Sequence, residues 1–278
     1  MPPDDQPIYV MINGQPGKMA REIAKLLKSD ERFGIVPYSL TGPEVSDARH
    51  DDITLYHSNQ LSIGFWQRLK AEYPGFIIVD FTHPSAVNAN AELYHSLGLN
   101  FVMGTTGGDR EALARLFGNN DDVSCAVIAP NMAKQVVLFQ AMLKFAADNF
   151  PEAFEGYQLE IRESHQQGKA DTSATAKAMV AHFNALGIPF RAEQIIMVRD
   201  RETQLSMGVP ETALTGHGFH TYTLRSGDGN VVFQFTHNVS GRIVYAEGTR
   251  DAILFLHKKV IEGAKGRVYS MIDVLKGK

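Results

Sequence analysis

The stretch IYVMINGQPGKMA, Ile8 to Ala20, indicates how the N-terminal part of the chain folds. Its apolar run, Ile8 to Asn13, predicts a β-strand, and the apolar residues that follow recur at helical spacing from Lys18 to Lys28. Gly14 permits a tight turn between the two, and Gly17 leaves room for a phosphate at the positive end of the helix. Steric needs of the turn alone would also explain both glycines, so the motif needs support from its surroundings.

Short strand-like runs and helix-period runs continue to alternate as far as Ile128, which is typical of βαβ units around a parallel sheet. Two further strands end in small polar residues, FTHPS at Phe81 to Ser85 and GTTGG at Gly104 to Gly108. In an open parallel sheet, ligands bind outside the carboxyl ends of the strands. We therefore predict an α/β protein with a doubly wound, mostly parallel, Rossmann-like sheet, whose second strand is Gly34 to Ser39.

After Pro130 the strict alternation of strand-like and helix-period runs ends, and the pattern that follows is typical of a second, α+β domain. A strand ending near His165 and a helix from about Ser173 are followed by three strand-like runs, and an apolar run near the C-terminus could dock back onto the first domain. The later strands are predicted at Gln194 to Arg199, His217 to Arg225 and Val231 to Asn238. The domain bounds that follow are 1–130 with 242–278 for a dinucleotide-binding domain, and 131–241 for a substrate-binding and oligomerisation domain.

Composition excludes several classes of function. Among 278 residues, 27 Lys and Arg against 31 Asp and Glu give a net charge of −4. No run of Lys and Arg interrupts this mildly acidic composition, so we expect no nucleic-acid partner. No apolar run reaches the roughly 18 residues of a membrane helix, so we expect no membrane partner. Acidic residues before the first apolar stretch are unlike a secretory signal, and the single cysteine, Cys125, excludes an internal disulfide. We expect a cytoplasmic protein.

The end of the second predicted strand bears on the choice of cofactor. NAD-binding domains usually carry an Asp or Glu there for the ribose hydroxyls, whereas the segment PYSLTG, residues 37–42, has no carboxylate before Glu44. Ser39 and Thr41 could instead donate hydrogen bonds to a 2′-phosphate. The sequence thus permits NADPH or NADH.

The segment ESHQQGKADTSATAKA, Glu163 to Ala178, concentrates residues with ionisable or hydrogen-bonding side chains. Strand alternation puts His165 at the rim of a buried surface, where a histidine can titrate near neutrality. Lys169 adds positive charge, and the helix start near Ser173 offers free amides, so carboxylate oxygens could bind beside a proton donor. The competing interpretation is that Asp171 or Ser173 only caps the helix, Lys169 is solvated and His165 is structural.

The remaining histidines have a structural interpretation. His217 and His220 are three residues apart in a predicted strand and so face opposite ways, which argues against a shared metal. We predict no metal site.

The motifs GQPGKM, VDFTHPSAV, GTTGG, APNM, SHQQGKADTSATAKA and YAEGT, taken in this order, resemble those of 4-hydroxy-tetrahydrodipicolinate reductases, and the SHQ variant resembles the plant-type branch. The resemblance runs from Ile8 to Leu275. It implies NAD(P)H-dependent reduction of 4-hydroxy-tetrahydrodipicolinate to tetrahydrodipicolinate in lysine and diaminopimelate biosynthesis. The alternatives are another two-domain nicotinamide oxidoreductase of a small carboxylic acid, or a non-catalytic NAD(P)-sensing module.

The resemblance also implies roles for single residues. His165 matches the proton donor and Lys169 the catalytic lysine, while Ala174 and Thr175 match a Gly-Thr pair that holds a carboxylate of a small cyclic dicarboxylate substrate. Gln166 replaces a second histidine of many bacterial members and keeps a hydrogen-bonding side chain. A homo-oligomer, dimer or tetramer, is implied through the second domain's sheet. In addition to Ser39 and Thr41, the residues expected to bind cofactor are Gly14, Gln15, Pro16, Gly17, Lys18, Met19, Phe81, Gly104, Thr105, Thr106, Ala129, Pro130, Asn131 and Met132.

Overall fold

The computed structural model describes residues 6–117 and 123–277. Residues 1–5, 118–122 and 278, which the predicted domain bounds include, lie outside this range. The chain divides into two compact units, the first formed by Met1–Lys134 with Tyr245–Lys278 and the second by Gln135–Val244. Among the helices of the described residues, none is both long enough and apolar enough to cross a bilayer.

The first unit begins with alternating strands and helices. Apolar runs of β-branched residues form its strands, and the strand Ile77–Asp80 is buried at all four positions, so both of its faces are covered. The elements up to residue 128 are β1 (Ile8–Asn13), α1 (Lys18–Lys28), β2 (Phe33–Ile35), β3 (Tyr38–Leu40), β4 (Arg49–His50), β5 (Ile53–Tyr56), α2 (Ile63–Glu72), β6 (Ile77–Asp80), α3 (Val87–Ser96), β7 (Asn100–Met103), α4 (Arg110–Arg115) and β8 (Cys125–Ile128).

The predicted second strand is two strands in the structure. β2 stays in the main sheet beside β1, whereas β3 pairs with β5 in a separate three-stranded sheet of order β3-β5-β4. Pro37 lies between them and has no backbone N–H, so a continuous ladder cannot pass through it. Its carbonyl still accepts a hydrogen bond from the Thr54 amide at 2.9 Å.

The second unit is a mixed sheet packed against helices. Its elements are α5 (Lys134–Asn149), β9 (Gln158–His165), α6 (Ala174–Ala185), β10 (Ile196–Val198), α7 (Arg201–Ser206), β11 (His217–Arg225) and β12 (Val232–Ser240). The sheet order is β10-β9-β11-β12, with β9 and β10 parallel and the other pairs antiparallel. Ile161, Phe183 and Tyr222 are fully buried in its core. The predicted strand from Gln194 begins two residues later, because Ala192–Gln194 forms a 3-10 turn.

The chain returns to the first unit through α8 (Ile243–Ile261), β13 (Arg267–Tyr269) and α9 (Met271–Lys276). β13 pairs in parallel with β8, so the C-terminal apolar run does dock on the first sheet. The completed sheet is parallel throughout, in the order β13-β8-β7-β6-β1-β2. This confirms the predicted doubly wound α/β fold. The strand order reverses next to β1, and ligands bind at the carboxyl ends of strands at such a point.

Candidate functional site

The turn between β1 and α1 brings backbone very close to backbone. Gly14 has a φ of +101°, and a Cβ there would collide with the Phe81 carbonyl group. A Cβ on Gly17 would lie 2.7 Å from the Gly14 carbonyl oxygen. Gly17 is also the N-cap residue of α1 and has no side chain to cap the first amides of the helix. The glycines therefore leave an open, electropositive helix start at the carboxyl end of β1.

A cleft of about 290 Å³ opens at this turn. It includes most of the residues predicted on the phosphate side and adds Glu44, the first carboxylate after the predicted second strand, which was not predicted to bind cofactor. Lys18 and Met19 follow in the first turn of α1, where Lys18 is exposed and Met19 half-buried. The lining residues are Gly14, Gln15, Pro16, Gly17, Thr41, Gly42, Glu44, Val45, Phe81, Thr82 and His83.

Ser39, which was predicted to bind cofactor, lies inside the protein. Its side chain is fully buried, and its hydroxyl accepts from the Gln15 amide at 3.2 Å and donates to the Leu40 carbonyl at 2.9 Å. The chain bends into β3 and turns this side chain inward, so its hydroxyl is engaged within the protein, and a contact between Ser39 and a cofactor stays a prediction. Thr41 donates to the Gln15 carbonyl at 2.7 Å and keeps its place at the cleft.

The cleft fits a dinucleotide. Besides the open helix start, Gln15 has a buried Oε1 atom that lacks a hydrogen-bond partner among the described residues. A buried amide oxygen without a partner is costly unless a ligand or water satisfies it. The glycine cradle and this oxygen are the features that a bound pyrophosphate and ribose would use.

Asp80, at the end of β6, organises the loops around the cleft. Its buried carboxylate accepts hydrogen bonds from the Thr82 amide and hydroxyl, the Thr105 hydroxyl, the Asn90 amide group and the Tyr94 hydroxyl, at 2.6 to 3.0 Å. All these donors are neutral. Burial, reinforced by the negative Asp80, raises the pKa of Tyr94 well above its ordinary value, so the phenol remains a donor. Thr105, which was predicted to bind cofactor, is buried, and its hydroxyl ties the loop after β7 to Asp80.

The neighbouring predicted residues differ in their exposure. A Cβ on Gly104 would collide with the Phe81 ring, and Thr106 is exposed on the adjacent loop. Ala129 and Met132 are buried, whereas Pro130 is exposed. Asn131 accepts from the Ala133 amide through its side chain at 2.9 Å. A Cβ on Gly248, in the YAEGT motif, would collide with the carbonyl group of Met132, so this position requires glycine.

His165 is the last residue of β9 in the second unit. It pairs with Gly218 of β11, where a Cβ would lie 3.0 Å from the His165 ring. Nδ1 donates to the His217 carbonyl at 2.9 Å, which leaves Nε2 as the ring nitrogen not engaged in this bond. The side chain is 14% exposed, and Nε2 has no hydrogen-bond partner among the described residues.

The electrostatics around His165 act in opposite directions. Burial lowers the pKa of the imidazole, the Glu163 carboxylate and the His217 carbonyl raise it, and Arg199 and Lys169 lower it, with a net value below the ordinary one. The Glu163 carboxylate is fully buried, 4.0 Å from His165 Nε2. Although burial opposes ionisation, hydrogen bonds from Arg199 and Ser173 hold the Glu163 pKa below its usual range. Glu163 is thus a permanent negative charge beside the imidazole.

Two further histidines extend this cluster. His220 was predicted to be structural, and no role was predicted for His237. The His220 ring lies 5.1 Å from that of His165, and His237 stacks on His220 at 4.6 Å. Burial lowers the pKa of His220 well below its ordinary value and that of His237 to about 4, so both are neutral near pH 7. Donor atoms of Glu163, His165 and His220 lie within 4.8 Å of one another. Arg199 already balances the Glu163 charge, so we assign no metal there.

The segment after His165 forms a turn and then starts α6. The Lys169 amide donates to the Gln166 carbonyl at 2.9 Å, and both side chains are half-buried. Ser173 caps α6 by accepting from the Ala176 amide at 3.0 Å, so the capping interpretation holds for this residue. Ala174, exposed, and Thr175, half-buried, form the first turn. The helix start therefore lies next to Lys169 in sequence and carries the positive end of the dipole.

Family models match both halves of the chain. "Dihydrodipicolinate reductase, N-terminus" covers residues 8–132, and "Dihydrodipicolinate reductase, C-terminus" covers residues 135–275. The chain belongs to the dihydrodipicolinate reductase family. Within it, the chain is 44% identical to "Probable 4-hydroxy-tetrahydrodipicolinate reductase 2, chloroplastic" of Oryza sativa subsp. japonica, over 99% of this chain and 85% of the relative.

Other members support the same placement. The chain is 45% identical to "4-hydroxy-tetrahydrodipicolinate reductase 2, chloroplastic" of Arabidopsis thaliana, over 97% of this chain and 77% of the relative. A solved structure, the dipicolinate-bound dihydrodipicolinate reductase of Paenisporosarcina sp. TG-14, shares the fold with a TM-score of 0.64 at 19% identity, over 96% of this chain and 98% of that one. The resemblance to the plant-type branch of the reductase family is confirmed.

Proposed function

We propose that this protein reduces 4-hydroxy-tetrahydrodipicolinate to tetrahydrodipicolinate with NADPH or NADH, in lysine and diaminopimelate biosynthesis. The main support is the match to both halves of the reductase family, together with high identity to its plant members. The cluster around His165 adds chemical support, because it combines a buried imidazole with a lysine and a helix start.

The first unit is the cofactor-binding part in this proposal. Gly14, Gln15 and Gly17 accommodate the pyrophosphate at the start of α1, and Thr41 and Glu44 line the adjoining wall. Residues 104–106 and 129–132 hold the nicotinamide side. When bound, NAD(P)H supplies the hydride. The hydrogen bonds to Asp80 keep the surrounding loops in place, and their donors are neutral groups.

The second unit holds the substrate and moves the proton. The Lys169 ammonium and the amides of Ala174 and Thr175 bind one carboxylate, since cations and helix N-termini both favour anions. Gln166 offers a further hydrogen bond. His165, as imidazolium, donates its Nε2 proton while Nδ1 stays bonded to the His217 carbonyl. The 4-hydroxyl group of the substrate leaves as water, so that one hydride and one proton convert the hydroxy compound to tetrahydrodipicolinate. Glu163 stabilises that imidazolium across 4.0 Å.

A homo-oligomer and a cytoplasmic location complete the proposal. β12 is an edge strand of its sheet and exposes Val232 and Phe233, which suits pairing of second units into a dimer or tetramer. Buried Cys125, the single thiol, suits a reducing compartment. The rice and Arabidopsis relatives are named chloroplastic, which makes a plastid the competing location.

The function is tested by mixing the protein, NADPH and substrate made by the preceding synthase, and following NADPH absorbance. We expect oxidation that depends on substrate. His165→Ala should lower kcat by about 10²- to 10⁴-fold, the usual contribution of a general acid. Lys169→Ala should lose most of the turnover because the substrate binds less tightly. NADPH affinity should stay within about twofold of wild type in both variants.

Each competing interpretation gives a different result in that assay. Tight NADPH binding without oxidation of any small carboxylic acid would favour a sensing module. Oxidation with another acid, but not with this substrate, would favour a different oxidoreductase. Parallel loss of NADPH binding in His165→Ala and Lys169→Ala would show that the site is misplaced.

A further inference from the structure

Arg199, the residue after β10, makes an unusually complete set of hydrogen bonds. Nε donates to the Lys169 carbonyl at 2.9 Å, and Nη1 donates to the carbonyls of Val198 and Glu163 at 3.0 and 3.3 Å. Nη2 donates to Glu163 Oε1 at 2.6 Å and to the Asp171 carbonyl at 3.3 Å. These acceptors match the five N–H groups of a guanidinium. The side chain is only 16% exposed.

Glu163 completes this arrangement from the other side. Its Oε1 accepts from Arg199, and its Oε2 accepts from the Ser173 amide at 2.9 Å. The segment 166–173 is therefore fixed at three backbone points. Arg199, after β10, holds the carbonyls of Lys169 and Asp171, and Glu163, in β9, holds the amide of Ser173. Because all three bonds use the backbone, the Lys169 side chain is not consumed by them.

We propose that Arg199, held by Glu163, is a positioning residue that fixes segment 166–173 so that the Lys169 ammonium and the first amides of α6 face one carboxylate of the substrate. This inference rests on the proposed function. The planar fork of arginine is essential to it, since a lysine at this position could carry the charge but could not donate in five fixed directions.

The Glu163–Arg199 pair also contributes to the field at His165. The groups that face His165 are Glu163 on β9, His217 and His220 on β11, His237 on β12, Arg199 after β10 and Lys169 in the segment. Glu163 is the one acid among these six, and His220 and His237 are held neutral by burial. Removing the Glu163 charge therefore leaves the hydrogen bond to the His217 carbonyl as the one favourable influence among those described on an imidazolium, against burial and the charges of Arg199 and Lys169.

The experiment compares Arg199→Met and Arg199→Lys with a matched control, Arg201→Met. Arg201 lies two residues further on, is 66% exposed and pairs with Glu211. We expect Arg199→Met to lower kcat/KM by about 100-fold, with substrate KM and the Kd of dipicolinate each raised about tenfold or more. Arg199→Lys should restore only a small part. Arg201→Met should stay within about twofold of wild type in all three constants.

Two further readouts separate positioning from a general structural defect. NADPH affinity should remain within about twofold of wild type in Arg199→Met. In Glu163→Gln, the decline of kcat/KM with rising pH should move to lower pH, because His165 loses the charge that favours its protonated form. If Arg199→Met does not fold, as judged by circular dichroism, Arg199→Lys and Glu163→Gln carry the test through dipicolinate titration.

A folded Arg199→Met whose substrate KM and dipicolinate Kd match wild type would overturn the inference. So would an equal loss of NADPH affinity, or a complete restoration by lysine. An inactive wild-type protein would count against the proposed function instead. In that event dipicolinate titration would still compare Arg199→Met with Arg201→Met, so the two failures are distinguishable.

Discussion

In the proposed mechanism, His165 must hold a proton although its surroundings disfavour the charged form. Burial is the largest influence and lowers its pKa, and the adjacent Glu163 carboxylate offsets only part of that effect. The hydrogen bond from Nδ1 to the His217 carbonyl fixes the tautomer, so the titrating nitrogen is Nε2. A proton donor with a lowered pKa is the stronger acid, but a smaller fraction of it is protonated near neutrality.

We therefore expect kcat/KM to fall as the pH rises through the pKa of His165, with a midpoint below that of an ordinary histidine. The direction follows because the imidazolium is the active form and its pKa in the free enzyme is lowered. The measurement is a pH profile of kcat/KM with NADPH saturating. His165→Gln is the control and should lack this decline. A midpoint at or above the ordinary histidine value, or the same decline in His165→Gln, would contradict the assignment.

The turn between β1 and α1 depends on a glycine for two separate reasons. Gly14 combines a positive φ with close contact to the Phe81 carbonyl group, whereas Gly75 also has a positive φ, +73°, but no heavy atom lies within 4 Å of an added Cβ. Positive φ alone costs an L-residue about 1–2 kcal/mol. The contact with Phe81 adds a displacement of the backbone that lines the cleft.

Gly14→Ala should consequently lower both the melting temperature and the affinity for NADPH, the affinity by about tenfold or more because the cradle must move. Gly75→Ala, the matched control, should lower the melting temperature through backbone strain and leave NADPH affinity unchanged. Thermal unfolding and fluorescence titration with NADPH measure the two effects. Equal NADPH affinities in the two variants would mean that the turn between β1 and α1 is not the pyrophosphate site.

Local chemistry explains how well these elements were predicted. The β1-turn-α1 unit and the capped start of α6 depend on neighbours in sequence, namely glycines and Ser173, and both were predicted. The splitting of the second strand was missed although Pro37 is visible in the sequence. What decides the split is that β3 finds β5 as a partner, and that pairing is not local.

The C-terminal segment is part of the first unit and covers the edge of its sheet. β13 pairs with β8 in a register that sets Arg267 beside Cys125, and Cys125 is fully buried. Burial also raises the pKa of this thiol, which suppresses the reactive thiolate. Met271 and the contact of Tyr269 with the Phe255 ring at 5.1 Å fasten the segment.

Removing residues 264–278 should therefore expose β8 and make Cys125 react quickly with a thiol reagent, while the full chain reacts slowly. The measurement is the rate of labelling under native conditions, with Cys125→Ala in the shortened chain as the control for background. We also expect the shortened protein to melt at a lower temperature, because a buried strand pairing is lost. Equal labelling rates in the full and shortened chains would show that β13 does not protect β8.

The sequence alone determined the alternating α/β pattern, the glycine turn, the spacing of His165 and Lys169, and the resemblance to the reductase family, because periodicity, turn chemistry and motif order are properties of neighbouring residues. Only the tertiary structure decided the rest. Glu163 and Arg199 are 36 residues apart, and Tyr94 meets Asn13 across 81 residues. Such pairs depend on strand order and register, and so does the burial of Ser39. A side chain's solvation and charge environment are set by whichever distant strands the fold places beside it.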